Sequence, residues 1–312
     1  MSDSAADLGA ASANPQDGGG STLAAQLRVT AGLLVAAALF WTVGWIALQP
    51  IDPVGPLSLL GIEHRLRVVG SLSLLSAVAS VLAILVAGGD ARLIGPLGSA
   101  VGLAALNLRG AQSDLIGGYL TRTTASSADW PAIALSIELV VWLMIVSVGV
   151  AAGHWAAAIV SAERRRPGGA NERAEGPAKG MLSAGLSALI AFALILFLSG
   201  GSRDEVLKGQ IYFAVGIGFL VSSMTAQFAF RSRHVAWTLA AVAFVGVAAY
   251  LTGSPGEGGA AGGFGAMRSL PQLAARPLPV EYASMGVFGS LTGIWLIRPL
   301  AGGTSSATGS AA

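Results

Sequence analysis

Residues 131–160 read PAIALSIELVVWLMIVSVGVAAGHWAAAIV, and residues 161–180, which follow directly, read SAERRRPGGANERAEGPAKG. The first stretch exceeds the roughly 20 apolar residues that an α-helix needs to cross a bilayer. Its single acidic residue is Glu138. The second stretch is a short loop rich in arginine, of the kind that stays on the cytoplasmic side of a membrane. Together they predict a membrane-spanning helix with its basic end in the cytoplasm.

The composition of the whole chain agrees with a membrane protein. Of its 312 residues, 54% are apolar and 11% are charged, and the mean hydropathy is +0.69. Soluble domains carry about 25% charged residues, because a water-facing surface must be polar. A lipid-facing surface accounts for the deficit. The net charge of +2 is scattered, so nucleic-acid binding, which needs a basic face, is not expected.

Working outward from residues 131–160, seven further apolar runs have approximately the length of a membrane span. We therefore predict an all-α, polytopic transmembrane helix bundle of about eight spans. The predicted spans are residues 30–48, 68–87, 93–108, 131–160, 181–198, 210–230, 235–251 and 282–297.

The third run is the shortest and contains Gly95 and Pro96. Irregular or short segments are tolerated at membrane depth where protein surrounds them. The alternative is therefore seven spans, with residues 93–108 re-entering the membrane. The eight-span arrangement places both termini in the cytoplasm, whereas the seven-span arrangement places Arg28 and the amino terminus outside. Because basic residues do not distinguish the two arrangements, the side of the amino terminus stays open.

The domain organisation predicted from the sequence is a single membrane domain, residues 29–300, between two disordered tails. The tails, residues 1–28 and 301–312, are rich in small and polar residues and have too little apolar surface to fold. Aligning the first four spans with the last four gives no convincing repeat. The excess of alanine and glycine suggests a bacterial source, and we expect a bacterial inner membrane with residues 161–180 in the cytoplasm.

Glu138 is the first candidate site. It follows Trp130, a residue typical of the membrane interface, by eight positions, which is about 12 Å along a helix. A carboxylate at that depth is costly and usually faces the bundle interior or a water-filled cavity. Glu138 is therefore either a proton or cation site or, because this helix is longer than it needs to be, a residue near the headgroups. Glu281, at the mouth of the last span, is its expected acidic companion.

Hydroxyl and amide side chains recur at helical spacing in three spans and give a second set of candidates. Ser76 and Ser80 share a face, as do Ser183 and Ser187, and Ser223 and Gln227. Such stripes either line a solute path or join helices by hydrogen bonds. Three GxxxG pairs, Gly98/Gly102, Gly149/Gly153 and Gly289/Gly293, fit close helix packing but do not indicate a function.

The basic loop is a candidate contact for anionic lipid headgroups through Arg164, Arg165 and Arg166, although setting the topology explains these residues equally well. The chain has no cysteine, and its three histidines are far apart in the sequence. We therefore predict no metal site. No phosphate-binding loop, serine-hydrolase turn or zinc-protease helix occurs, and we predict neither catalytic residues nor a cofactor.

Three functional classes remain open from the sequence. The first is a non-enzymatic membrane component or assembly partner. The second is a small-solute or ion transporter with Glu138 in its path. The third is a membrane-embedded enzyme acting on a lipid-like substrate, with Glu281, Glu63 and His64 as candidate residues. Because intramembrane charge is scarce, the sequence favours the first class over the other two. The expected partners are the lipid bilayer and either another membrane protein or a second copy of the chain.

Overall fold

The computed structural model of the chain is a bundle of α-helices, as expected from long apolar runs that must satisfy their backbone hydrogen bonds internally. Eight helices occur in the part of the chain that the structure describes. That part comprises residues 18–48, 57–59, 62, 64–88, 93–110, 132–162, 176–199, 207–230, 235–253 and 273–302.

The first four helices form from the first four apolar runs. Helix α1 begins at Gly18–Leu39 and continues through a π-helical turn, Phe40–Gly44, into a last turn, Trp45–Leu48. Helices α2, α3 and α4 are Arg65–Ala87, Ile94–Arg109 and Ala132–Ala162.

The second four helices follow the same order. Helices α5, α6 and α7 are Pro177–Leu198, Lys208–Phe230 and Val235–Thr252. Helix α8 starts with Pro279–Glu281, passes through a second π-helical turn, Tyr282–Gly286, and continues as Val287–Gly302.

The predicted all-α, polytopic bundle is confirmed. Within the described residues, seven helices, all except α3, are long and apolar enough to cross a membrane. Helix α1 starts at Gly18, within the segment predicted to be a disordered tail, and residues 1–17 lie outside the described part. The Trp130 marker and most of the basic loop, including Arg164, Arg165 and Arg166, also lie outside it.

Helix α3 is the predicted third run. Its 16 residues extend over about 24 Å, which is less than the roughly 30 Å of a bilayer core. It runs antiparallel to α2, with Gly95 beside Ser80 and Ser99 beside Ser76, and its last residue, Arg109, lies beside Trp41 of α1. Almost all of its side chains are buried by neighbouring helices. Protein therefore surrounds the short helix, as the Gly- and Pro-containing sequence suggests.

The helices are arranged as two four-helix bundles that follow the order of the chain. In the first bundle α1 packs on α2 and α3, and α4 packs on α2 and α3. In the second bundle α5 packs on α6 and α7, and α8 packs on the same two helices. The bundles meet where α4 contacts α7 and where α3 contacts α8. The third and fourth helices of each bundle therefore form the central interface.

Helices α1 and α5 lie at the periphery and present large apolar side chains outward. Leu27 and Leu34 on α1, and Leu182 and Leu189 on α5, are all well exposed. Exposed leucines along entire helices are unfavourable in water but are expected where acyl chains form the solvent. The outer surface of the bundle therefore has the character of a lipid-facing surface.

Close helix packing is concentrated at the glycine pairs seen in the sequence. Gly153 on α4 approaches the backbone of Gly95 on α3. Gly289 on α8 lies against the backbone carbonyl of Gly216 on α6. A methyl group at Gly289 would collide with that carbonyl, so the two helices approach to a distance that only glycine allows.

The bundle has two chemically different ends. At one end α4 finishes and α5 starts, on either side of the basic loop; we call it the basic end. At the opposite end α1, α3 and α7 finish and α2, α4 and α8 start. This opposite end carries Glu138 and Glu281, and we call it the carboxylate end.

Candidate functional site

Glu138 lies in the second turn of α4 and is only 2% exposed. Its two carboxylate oxygens accept three hydrogen bonds. Oε2 accepts the hydroxyl of Ser58 at 2.8 Å. Oε1 accepts the backbone N–H of Leu59 at 2.7 Å and the indole N–H of Trp142 at 3.2 Å. A carboxylate with this many donors is stabilised inside the protein despite its burial.

The donors of Glu138 come mainly from the segment that precedes α2. Leu57 and Leu59 in this segment are 3% and 4% exposed and belong to the main hydrophobic core. The two leucines thus insert into the bundle while the polar groups between them turn towards Glu138. Because backbone N–H groups buried without partners are costly, Glu138 is what allows this non-helical segment to enter the core.

Glu281 lies in the first turn of α8 and is completely buried. Its Oε2 accepts the backbone N–H of Leu278, the residue just before the helix, at 2.7 Å. Its Oε1 accepts the side-chain amide of Asn107 from α3 at 3.3 Å. A carboxylate in the first turn of a helix pairs with otherwise unsatisfied N–H groups and with the positive end of the helix dipole. Glu281 therefore stabilises the start of α8 and joins it to the first bundle.

Asn107 connects three helices at the central interface. Its amide also donates to the hydroxyl of Tyr212 on α6 at 2.8 Å, and that hydroxyl donates to the carbonyl of Ala104 at 3.1 Å. The ammonium group of Lys208, the first residue of α6, donates to the carbonyls of Asn107 and Gly110. Lys208 thus caps the carboxyl end of α3, where a cation is favourable.

Two tyrosines hold the segment before α8 in place. Tyr250 on α7 donates to the carbonyl of Pro277 at 2.8 Å, and Tyr282 donates to the carbonyl of Ala274. Their rings meet edge to face, with centroids 6.0 Å apart and an interplanar angle of 88°. Residues 274–278 are buried, so this segment, like residues 57–59, enters the bundle from the carboxylate end.

Arg109 on α3 contacts the π-helical turn of α1. Its guanidinium donates to the carbonyl of Trp41 at 2.8 Å and lies 4.6 Å from the ring centroid of Trp45. A π-helical turn shifts the regular hydrogen-bond pattern of a helix, and Arg109 supplies a donor to one of its carbonyls. The carboxylate end holds a set of polar side chains that bond one another or nearby backbone groups. We call this set the polar layer: Glu138, Glu281, Asn107, Lys208, Tyr212, Tyr250 and Tyr282.

The structure brings together only some of the predicted site residues. Glu138 and Glu281 lie at the same end, and both are close enough to Tyr250 to interact with it electrostatically. Gln227 is half-buried and lies towards the basic end, beside Ser223 and Thr238. Glu63 is outside the described residues, and His64 is exposed. Among the described residues, no group of three His, Cys, Asp or Glu side chains is placed to hold a metal ion.

Several members of the polar layer were missed by the sequence analysis. Asn107 was visible as the only amide in the third apolar run, and Lys208 as a cation immediately before the sixth. Tyr212 and Tyr250 resemble ordinary interfacial aromatic residues, and nothing in their local sequence shows that their hydroxyls are buried donors. Asn107 Oδ1 and Arg276 Nη1, which are also buried at this end, have no hydrogen-bond partner among the described residues.

Comparisons with protein-family models, with curated proteins and with solved structures find no match to this chain.

Proposed function

We propose that this multi-pass membrane protein is a non-enzymatic membrane component that acts as a packing or assembly partner for other membrane proteins or for further copies of itself. The observation that supports the proposal most is that the Glu138 carboxylate is already hydrogen-bonded within the protein. Both of its oxygens are bonded to the chain's own groups, Ser58, Leu59 and Trp142. Any solute or ion binding to this carboxylate would have to displace donors that hold the segment before α2 in the core.

Glu281 supports the same interpretation. Its bonds to Leu278 and Asn107 define the start of α8 and connect the two bundles. Buried ionisable groups in membranes usually mark transport pathways or relays. Here the two carboxylates instead satisfy backbone N–H groups of inserted segments, which is a structural task.

The test combines stability with flux for two Glu138 variants. Glu138→Ala removes all three hydrogen bonds, and we expect it to lower the unfolding free energy by about 2–4 kcal/mol, because it leaves buried donors unpaired. Glu138→Gln keeps one acceptor oxygen, and we expect a smaller loss. Stability is measured by SDS titration of purified protein in mixed micelles, and proton and sodium flux is measured in reconstituted vesicles.

For a structural component, vesicles with the wild-type protein conduct no more than empty vesicles, and the variants change stability alone. The proposal is contradicted if wild-type vesicles show flux that Glu138→Gln abolishes while its stability equals that of the wild type. Ser136→Ala is the matched control, since the Ser136 hydroxyl bonds only the carbonyl of Ala132 on the same helix.

A small-solute or ion transporter is the second candidate, and one observation favours it. Within the described ranges, Asn107 Oδ1 and Arg276 Nη1 are buried without a partner, whereas buried polar groups are normally satisfied. Such groups are typical of sites that complete their bonds with a ligand. Flux that responds to Asn107→Leu, with Glu138→Gln having no effect, would favour this candidate.

We further propose that residues 161–180 face the cytoplasm of a bacterial inner membrane. The basic residues of the loop support this orientation. Because the chain has no cysteine, single cysteines report the side directly. In intact spheroplasts, a membrane-impermeant maleimide is expected to label His64→Cys, at the carboxylate end, but not Gly168→Cys. The reverse pattern would contradict the orientation.

A further inference from the structure

The second bundle contains a small polar recess that the polar layer does not involve. It lies between α5, α6, α7 and α8, and its volume is about 20 Å³, enough for one particle of the size of a water molecule. Its polar lining consists of Ser183, Ser187, Ser223, Gln227, Trp237 and Thr238.

Two hydroxyls in this recess have no hydrogen-bond partner within the described part of the chain. Ser183 is 6% exposed and Thr238 is 8% exposed. Elsewhere in the bundle, lone hydroxyls such as those of Ser147 and Thr252 bond the carbonyl four residues earlier. Ser183 and Thr238 line the recess without making that bond, and buried hydroxyls are normally satisfied. The occupant of the recess therefore completes their hydrogen bonds.

The direction of the neighbouring hydrogen bonds indicates whether the occupant donates or accepts hydrogen bonds. The hydroxyl of Ser222 donates to the carbonyl of Phe219 at 3.0 Å, so the contact of 3.1 Å between Ser187 and Ser222 is donated by Ser187. The proton of Ser187 thus points away from the recess. In the described part of the chain no hydrogen bond pairs the protons of Ser183 and Thr238, which both line the recess. A cation would leave both protons unpaired, whereas a hydrogen-bond acceptor pairs them.

The electrostatic surroundings favour a negative occupant. No carboxylate lines the recess among the described residues. Thr238 lies in the first turn of α7, where the helix dipole and free N–H groups attract anions. Lys179 lies one turn before Ser183 on the same face of α5 and adds positive charge at the basic end.

From these observations we propose that the recess binds a single small monovalent anion of the halide type, with chloride as the available ligand. The hydroxyls of Ser183 and Thr238 donate to it, and the start of α7 provides the complementary positive potential. This site is separate from the polar layer and does not depend on the function proposed above.

The direct test uses bromide as a probe. The full-length protein is crystallised in sodium bromide, and anomalous scattering is measured at the bromine edge. We expect a peak within hydrogen-bond distance of Ser183 Oγ and Thr238 Oγ1. A water molecule in the recess at saturating bromide, or a peak only elsewhere, would overturn the proposal.

A solution experiment provides the second readout. Thermal unfolding of the purified protein is compared in sodium chloride and in sodium gluconate at equal ionic strength. Chloride is expected to raise the midpoint by about 2–4 °C, since a ligand that binds only the folded state stabilises it. The double variant Ser183→Ala, Thr238→Val should lose this difference, and Ser147→Ala should keep it. A chloride effect that survives the double variant would place the anion elsewhere and overturn the proposal.

Discussion

Each bundle has serines four residues apart on one helix, but the surroundings of these serines differ between the two bundles. In the first bundle, the hydroxyls of Ser76, Ser80 and Ser99 bond one another and nearby carbonyls, and all three are fully buried. In the second bundle, Ser183 faces a recess and has no partner among the described residues. A serine stripe is therefore ambiguous until the opposing helix is known.

The opposing helix explains the difference. In the first bundle, Gly149 on α4 faces the three serines, and a Cβ there would collide with the hydroxyls of Ser99 and Ser76. The backbone of α4 thus closes the cluster. In the second bundle, the opposing side chain on α7 is Trp237, whose indole packs against Gly180 on α5. The recess beside the serines is thus lined by a side chain of α7, whereas the first cluster is closed by the backbone of α4.

Among the tests of this comparison, the largest effect is expected from filling the closed cluster. Gly149→Ala inserts a methyl group among three hydroxyls, so either the hydroxyls rotate and lose hydrogen bonds or the helices separate. We expect the unfolding free energy to fall by about 1–3 kcal/mol, as for other overpacked interiors. SDS titration of the purified protein measures the change.

The matched control is Gly70→Ala on α2, where a Cβ meets no atom within 4 Å. Stability there should stay the same or rise by up to about 1 kcal/mol, because alanine is the better helix former. Equal effects of the two substitutions would show that the close contact at Gly149 does not exist.

A smaller effect distinguishes the bonded serines from the unpartnered one. Ser99→Ala removes the hydroxyl that bonds Ser76 and Ser80, and the expected loss is about 0.6–1.7 kcal/mol, the usual range in membrane proteins. Ser183→Ala removes a hydroxyl that has no partner in the part of the chain that the structure describes. Measured in gluconate, it is expected to change stability by less than about 0.5 kcal/mol.

The comparison would fail if Ser183→Ala cost as much as Ser99→Ala in the absence of chloride. That result would mean that the Ser183 hydroxyl bonds the protein directly. A negligible cost of Ser99→Ala would equally show that the first cluster contributes no stabilisation.

Much of the fold follows from hydropathy alone. The length of each apolar run determines where a helix can cross the membrane, and the glycine pairs mark where helices approach closely. Both signals are local, so the sequence predicts the helices of the bundle and several of its contacts. The π-helical turns at Phe40–Gly44 and Tyr282–Gly286 depend on tertiary contacts, and no local pattern predicts them.

The candidate site was harder to predict from the sequence than the fold. Glu138 and Glu281 were identified because a carboxylate is conspicuous in an apolar run. Their partners were not, because the N–H of Leu59 is 79 positions from Glu138 and the amide of Asn107 is 174 positions from Glu281. Pairing between distant segments depends on how the helices assemble. Hydropathy contains no information on that assembly.

The most direct test of this account is an experimental structure of the full-length protein in a lipid nanodisc, examined at Glu138. The account predicts that the carboxylate accepts the Leu59 N–H and the Ser58 hydroxyl, with Leu57 and Leu59 packed in the core. A Glu138 side chain that faces acyl chains, or a water-filled cavity open to either side of the membrane, would contradict it.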